Sequence, residues 1–236
     1  MVRGPAAVLI VAAVAWIYFL IPKLLPAIHN DETSRTIAGA IATVLIVVVA
    51  AGVATLADAP IVIPLFLLGA GLLAGTMNAA GVGAAATVPE TVTYACVGVL
   101  FAIWLEAPAL ALAIPLFVAG VETISVLGES TRSIAHGDVS GGHPFSLDLP
   151  DWHNGLTAAR LGLADVVFTG AYATYARRLG LRFVASAVGM AVGLAIGLAL
   201  SVSLNSALPE LPFLGAGFLL PNVDLLAGLF RPVDEG

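Results

Sequence analysis

The sequence predicts an all-α protein, a polytopic transmembrane helix bundle of about eight spans, and three observations predict it. Hydrophobic residues make up 60% of the 236 residues and charged residues only 10%, against about 25% charged in an ordinary soluble domain. The apolar residues fall in runs long enough to cross a bilayer, which takes about 20 residues per helix. A helix closes its backbone hydrogen bonds within one segment, so such runs are expected to be helical. The short alternating segments of a transmembrane barrel do not appear. The whole chain, 1–236, therefore reads as one integral membrane domain, placed in the cell membrane as a multi-pass protein.

The candidate spans are 5–27, 36–57, 60–80, 90–105, 107–127, 157–176, 181–203 and 208–230. The first could be taken for a signal peptide, because Arg3 precedes an apolar stretch. That stretch runs on through Leu24 and Leu25 with no small-x-small cleavage site before a soluble segment, so it reads as a membrane helix. The break at Glu106 and Pro108 is tight and leaves seven or nine crossings open. Residues 1–106 hold the N-terminal helices; 107–236 hold the acid-bearing helices and one long loop, 128–156. In that loop Phe145-Ser146-Leu147-Asp148-Leu149 alternates, as a small hairpin or an interfacial segment would. With eight spans the positive-inside rule puts both termini and Arg177, Arg178 and Arg182 in the cytoplasm, and the long loop outside. Those three arginines are expected to anchor helix ends at lipid headgroups. Gly189, Gly193 and Gly197 recur every four residues, a smooth stripe on which another helix can pack closely, and Gly71 with Gly75 is a weaker case.

The composition excludes several functions. Net charge is −6, with one lysine, Lys23, against eight arginines, so there is no basic face for nucleic acid. The single cysteine, Cys96, rules out an internal disulfide or a cysteine-based metal cluster. A retinal-type pigment needs a lysine deep in a late helix. Loop residues His136, His143 and His153, with Asp138, Asp148 and Asp151, match no metal-ligand spacing and read as a solvated loop. Ser125, Ser130 and Ser133 lie near those histidines but in nothing like a nucleophile elbow.

Most of the 15 acids lie at predicted helix ends or in loops, and two do not: Glu122 in the fifth span and Asp165, deeper, in the sixth. A carboxylate at membrane depth costs at least about 2.5–3.5 kcal/mol on insertion scales, so such residues normally face the bundle interior or a wet cavity. The two spans are consecutive and are expected to lie side by side. Two facing carboxylates cannot both ionise cheaply and share a proton, as in aspartic proteases. Such a pair can take a proton from water as general base and give one to a leaving amine as general acid, with no metal or cofactor.

The surrounding residues resemble the presenilin and signal-peptide-peptidase family of intramembrane aspartyl proteases. Val121-Glu122-Thr123-Ile124-Ser125-Val126 occupies the place of that family's Tyr-Asp motif and its Ala-Ile-Ser-Val-like run. Leu161-Gly162-Leu163-Ala164-Asp165 is similar to its Leu-Gly-Leu-Gly-Asp. Pro209-Glu210-Leu211-Pro212 stands where Pro-Ala-Leu, often followed by Pro, opens the last helix. The order of the motifs fits, over roughly 115–220. The resemblance implies a presenilin-like arrangement of the last four helices and an intramembrane aspartic endopeptidase, archaeal in type. Its catalytic residues would be Asp165 and Glu122, its substrate edge Gly162, Pro209, Leu211 and Pro212, and its partners transmembrane helices of other proteins within the lipid bilayer. The departures are Val121 for Tyr, Glu122 for Asp, Ala164 for Gly and Glu210 for Ala. Glu reaches about 1.5 Å further than Asp, whereas catalytic geometry tolerates about 0.5 Å. The departures mark a divergent member, active or a catalytically impaired descendant. Two other readings stand beside it. A proton- or cation-coupled transporter or channel would use Glu122 and Asp165, with carbonyls freed by Pro64, Pro115, Pro209 and Pro221, although no internal repeat supports it. A non-catalytic membrane scaffold would bind other helices through its glycine faces.

Overall fold

The computed structural model describes residues 3–25, 28, 31–127, 146–152, 157–204, 206 and 208–229. The helices are α1 (Arg3–Leu20), α2 (Asp31–Ala54), α3 (Ile63–Ala79), α4 (Gly83–Trp104), α5 (Pro108–Leu127), α6 (Leu163–Arg178), α7 (Phe183–Ser203), α8 (Leu211–Leu219) and α9 (Val223–Leu229). Strands β1 (Ser146–Pro150) and β2 (Thr157–Gly162) precede α6. Among the described residues six helical segments are long and apolar enough to cross a membrane: Glu32–Asp58, Pro60–Ala79, Gly83–Trp104, Pro108–Val126, Phe183–Ser203 and Leu211–Gly228, the last being α8 and α9 joined by a 3-10 turn. α1 is a shorter apolar rod.

α2 is the axle of the bundle. It packs against α1 and α4 from the first half and against α6 and α7 from the second, so both halves share one core. Its inner face is made of small and β-branched residues, Ala38, Ala42, Ile46, Val49, Ala50 and Val53, all buried. The outer surface is apolar: Ile61, Leu65, Trp104, Phe117, Ile124, Val184 and Leu220 are largely exposed. Apolar exposure on this scale suits lipid rather than water.

Close helix pairs use glycine. A Cβ on Gly98 of α4 would overlap the Val167 carbonyl of α6, and one on Gly170 would lie 2.7 Å from the Ala95 carbonyl oxygen. The stripe on α7 does what its spacing predicts: Gly189 meets the Gly217 backbone of α8, and Gly193 meets the Phe213 carbonyl. Gly75 borders open space, so the Gly71–Gly75 pair makes no close approach.

α4 begins at Gly83, earlier than the expected residue 90, and carries Pro89 inside it. Ala84, Ala85 and Ala86 are strong helix formers that extend it upstream. Pro89 has no N–H to give to the carbonyl four residues back. Trp16 fills the vacancy from α1, its indole N–H donating to the Ala85 oxygen at 2.8 Å.

The alternating segment does form a hairpin. β1 and β2 pair antiparallel, from Ser146 opposite Gly162 to Pro150 opposite Thr157, with a register irregularity at Leu149/Pro150. Leu147, Leu149 and Leu161 point into the bundle and are fully buried. Thr87 donates to the Asp148 carbonyl, and Ser34 Oγ donates to Asp151 at 2.7 Å, so the hairpin is tied down on α4 and α2. The expected sixth span, 157–176, is corrected accordingly: its first six residues are β2, and the helix starts at Leu163. The strand ladder satisfies those six residues' backbone instead.

Ion pairs mark the opposite end. Arg177 binds Asp58, Arg178 binds Glu106 at 2.6 Å, and Arg182 binds Asp224 through two contacts of 2.7 Å. The three arginines thus pair with acids of this chain rather than reaching only for headgroups. They place the α2–α3, α4–α5 and α6–α7 connections and the head of α9 on one face, while the hairpin gathers those before α2, before α4 and before α6 on the other. Successive helices thus run in alternate directions between these two faces. The Arg178 guanidinium holds the Glu106 carboxyl below the usual carboxylate range. A depressed carboxyl contributes stability above its unfolded pKa and loses it as pH falls through the folded one. Glu106→Gln is therefore expected to lower the thermal midpoint modestly at neutral pH, and the difference should fade as pH falls through the lowered Glu106 pKa. A gap that persists in acid would contradict this account.

Candidate carboxylate site

Asp165 sits in the first turn of α6, not deep in it. Gly162 ends β2 and caps the helix with an extended backbone, φ −65° and ψ 146°. Its N–H donates to Asp165 Oδ2 at 3.0 Å, one half of a capping box; glycine has no side chain to supply the other half. Asp165 is only 4% exposed, and its Oδ1 has no partner among the described residues. Ala164, the methyl standing where the family has glycine, is exposed and does not crowd the carboxyl.

Glu122 lies on α5, just over a turn from its end, and is half-buried. α5 does not run along α6, as its place in the sequence suggests; it packs on α8 and α9. Pro115 of α5 meets Gly215 of α8 there, where an added Cβ would come within 3.5 Å. Glu122 reaches the head of α8, where the Leu211 N–H donates to its Oε2 at 2.7 Å and the Glu210 N–H also points to it. The first N–H groups of a helix have no partner of their own, and the helix dipole favours an anion beside them. Glu122 is thus an N-terminal cap delivered from another helix. The extra methylene that looked like misplaced catalytic reach is what brings the carboxylate to Leu211.

The structure adds an acid that the sequence reading treated as a mere departure. Glu210 caps α8 in sequence, and its Oε2 is buried without a partner among the described residues. Glu122, Asp165 and Glu210 lie within electrostatic reach of one another. An acid between two prolines at the head of an apolar span was a signal that could have been read. Pro209 and Pro212 are part-buried and the Leu211 side chain is buried, so the Pro-x-Leu-Pro segment does lie at the acids. Pro212 occupies the second helical position, where its missing N–H leaves nothing unsatisfied.

The depth of the site follows from the helices. Counted at about 1.5 Å per residue, Asp165 lies about 18 Å along α6 from Arg177, Glu210 about 21 Å along the last span from Asp224, and Glu122 about 21 Å along α5 from Pro108. The three acids therefore share one level, in the half of a roughly 30 Å hydrocarbon layer nearer the hairpin. Behind them runs an aromatic column. Phe101 meets Phe168 edge-on, Phe168 stacks on Tyr172 at 5.7 Å, and Tyr172 stacks on Phe218 at 5.0 Å. This column locks α4, α6 and α8 together below the site. The Tyr172 hydroxyl is buried without a partner among the described residues and lies within electrostatic reach of Asp165.

Among the described residues no three His, Cys, Asp or Glu groups are arranged to hold a metal ion. His136, His143, His153, Ser130, Ser133 and Asp138 lie outside the described residues. Fold and composition define the class: a multi-pass α-helical integral membrane protein. Comparison of the chain with family models, curated proteins and solved structures returns no match.

Proposed function

We propose that this chain is a presenilin-like intramembrane aspartyl peptidase of the cell membrane, or its catalytically impaired descendant. Asp165 is its central carboxyl, and its substrates are transmembrane helices of other proteins. The observation that carries the reading is the meeting of Asp165, Glu122 and the Pro-x-Leu-Pro head of α8 at one level inside the bundle, with buried carboxyl oxygens left free. The exposed Val121 and Ile124 of α5 and Ala164 of α6 flank the acids toward the lipid side. Gly162, Pro209, Leu211 and Pro212 form the edge along which an unwound substrate strand would lie.

The chemistry needs two carboxyl groups holding one proton. The carboxylate takes a proton from water as the water oxygen bonds to the scissile carbonyl carbon. The protonated partner gives its proton to the carbonyl oxygen, and a neutral gem-diol forms. On collapse the C–N bond breaks and the amine nitrogen takes a proton from one carboxyl. The diol returns a proton to the other, so the pair ends with the one proton it began with.

The test is cleavage of a transmembrane reporter by the purified protein in liposomes. Wild type is expected to cleave and Asp165→Ala to be inert. Glu122→Asp is expected to cleave less, because shortening withdraws the carboxylate from the Leu211 N–H. No cleavage by any variant, together with cation flux that depends on Asp165, would replace this reading with the transporter.

A further inference from the structure

Three acids meet at this site, and their hydrogen bonds divide them into two jobs. Glu122 is engaged by the backbone of α8, through the Leu211 N–H at 2.7 Å and the Glu210 N–H. Asp165 and Glu210 each retain one fully buried carboxyl oxygen, Oδ1 and Oε2, with no partner among the described residues. We propose that Asp165 and Glu210 form the proton-sharing carboxyl pair of this protein, and that Glu122 is a positioning residue that fixes the head of α8 and so places Glu210.

A buried carboxyl oxygen without a donor is costly, and native structures rarely leave one so. One proton held between Asp165 and Glu210 removes both defects at once, since the O–H of one acid donates to the free oxygen of the other. The surroundings favour that solution over ionising both. α5 contributes a third acid, Glu122; α6 contributes the Tyr172 hydroxyl and, from its cap, the Gly162 N–H. Among the described residues no Lys or Arg pairs with any of the three acids. Two negative charges would thus stand in a poorly solvated place with no cation to offset them. Both members of the pair are held firmly. Asp165 is fixed by the Gly162 N–H and by the buried α6, in which Thr169 Oγ donates to the Asp165 carbonyl at 2.6 Å. Glu210 is fixed by the cap that Glu122 places on its helix. Tyr172, two turns below Asp165 on the same helix face, has a buried hydroxyl without a partner among the described residues.

The catalytic role of the pair rests on the peptidase reading; its proton sharing does not, and the experiment separates the two. Infrared spectroscopy of the full-length protein in liposomes reads the C=O stretch of a protonated carboxyl. Wild type is expected to show that band at neutral pH. Asp165→Asn and Glu210→Gln should each remove it, Glu210→Asp should keep it, and Glu122→Gln should keep it, because the amide oxygen still accepts the Leu211 N–H. Size-exclusion profiles matching wild type confirm that each variant is folded. In the reporter assay Glu210→Gln should lose more than about 10²-fold in rate, as expected for removal of an acid–base group. A band that survives Glu210→Gln and disappears in Glu122→Gln, or no band in wild type, overturns the proposal. A wild type that cleaves nothing but shows the expected band pattern sinks the peptidase reading and leaves the pair standing. Cleavage unaffected by Glu210→Gln does the reverse.

Discussion

Gly98→Val is expected to prevent the bundle from assembling. The α4–α6 contact is backbone against backbone: a Cβ at Gly98 would overlap the Val167 carbonyl and lie 2.9 Å from the Ala171 nitrogen. Neither is the movable end of a side chain, so α6 must back away from α4. Doing so opens the Phe101–Phe168–Tyr172 column and shifts the helix head that carries Asp165. Overpacking of a tight core costs about 1–3 kcal/mol, and this site belongs at or above the upper end because only main chain can yield. The measurement is the folded, monodisperse yield in detergent and the thermal midpoint. Gly75→Val is the control; its Cβ would meet nothing within 4 Å, so its effect should stay within about 0.5 kcal/mol. Equal damage from both would mean that the loss comes from helix propensity rather than contact.

Asp165→Asn is expected to abolish cleavage and to stabilise the fold. The asparagine oxygen still accepts the Gly162 N–H, so the cap on α6 survives. In the proposed pair its amide N–H donates to the free oxygen of Glu210, replacing the shared proton. A satisfied buried hydrogen bond is worth about 1 kcal/mol, and the variant also removes an ionisable group from a poorly solvated site. Activity should fall by about 10²–10⁴, the usual contribution of a general acid–base group. Opposite signs for stability and activity are the signature of a group kept for chemistry. A variant that is both inactive and less stable would instead place Asp165 among the residues that merely hold the bundle together.

Much of this architecture was legible in the chain. The apolar runs gave the spans because a bilayer has a fixed thickness. The alternation in 145–149 pointed to a hairpin or an interfacial segment, and the structure makes it a hairpin; the glycine spacing on α7 pointed to a close helix contact, which the structure makes with α8. The site was legible only in part. Asp165 and Glu122 stood out because acids are rare within apolar runs. Glu210 did not, since it lay at a span boundary where an acid needs no explanation. The depth of Asp165 was misjudged because nothing in Thr157–Gly162 marks where strand gives way to helix, and pairing with Ser146–Pro150 decides it.

The sequence by itself determined that this chain lives in a membrane as a bundle of apolar helices, and that the two acids standing within its apolar runs, Glu122 and Asp165, sit in the second half. These follow from composition and from periods within single segments, which are local properties. The tertiary structure alone decided what Glu122 binds. Glu122 met Leu211 rather than lying open to Asp165 because α5 packs on α8 and not along α6. That contact spans 89 positions of the chain, and no pattern within one helix encodes it.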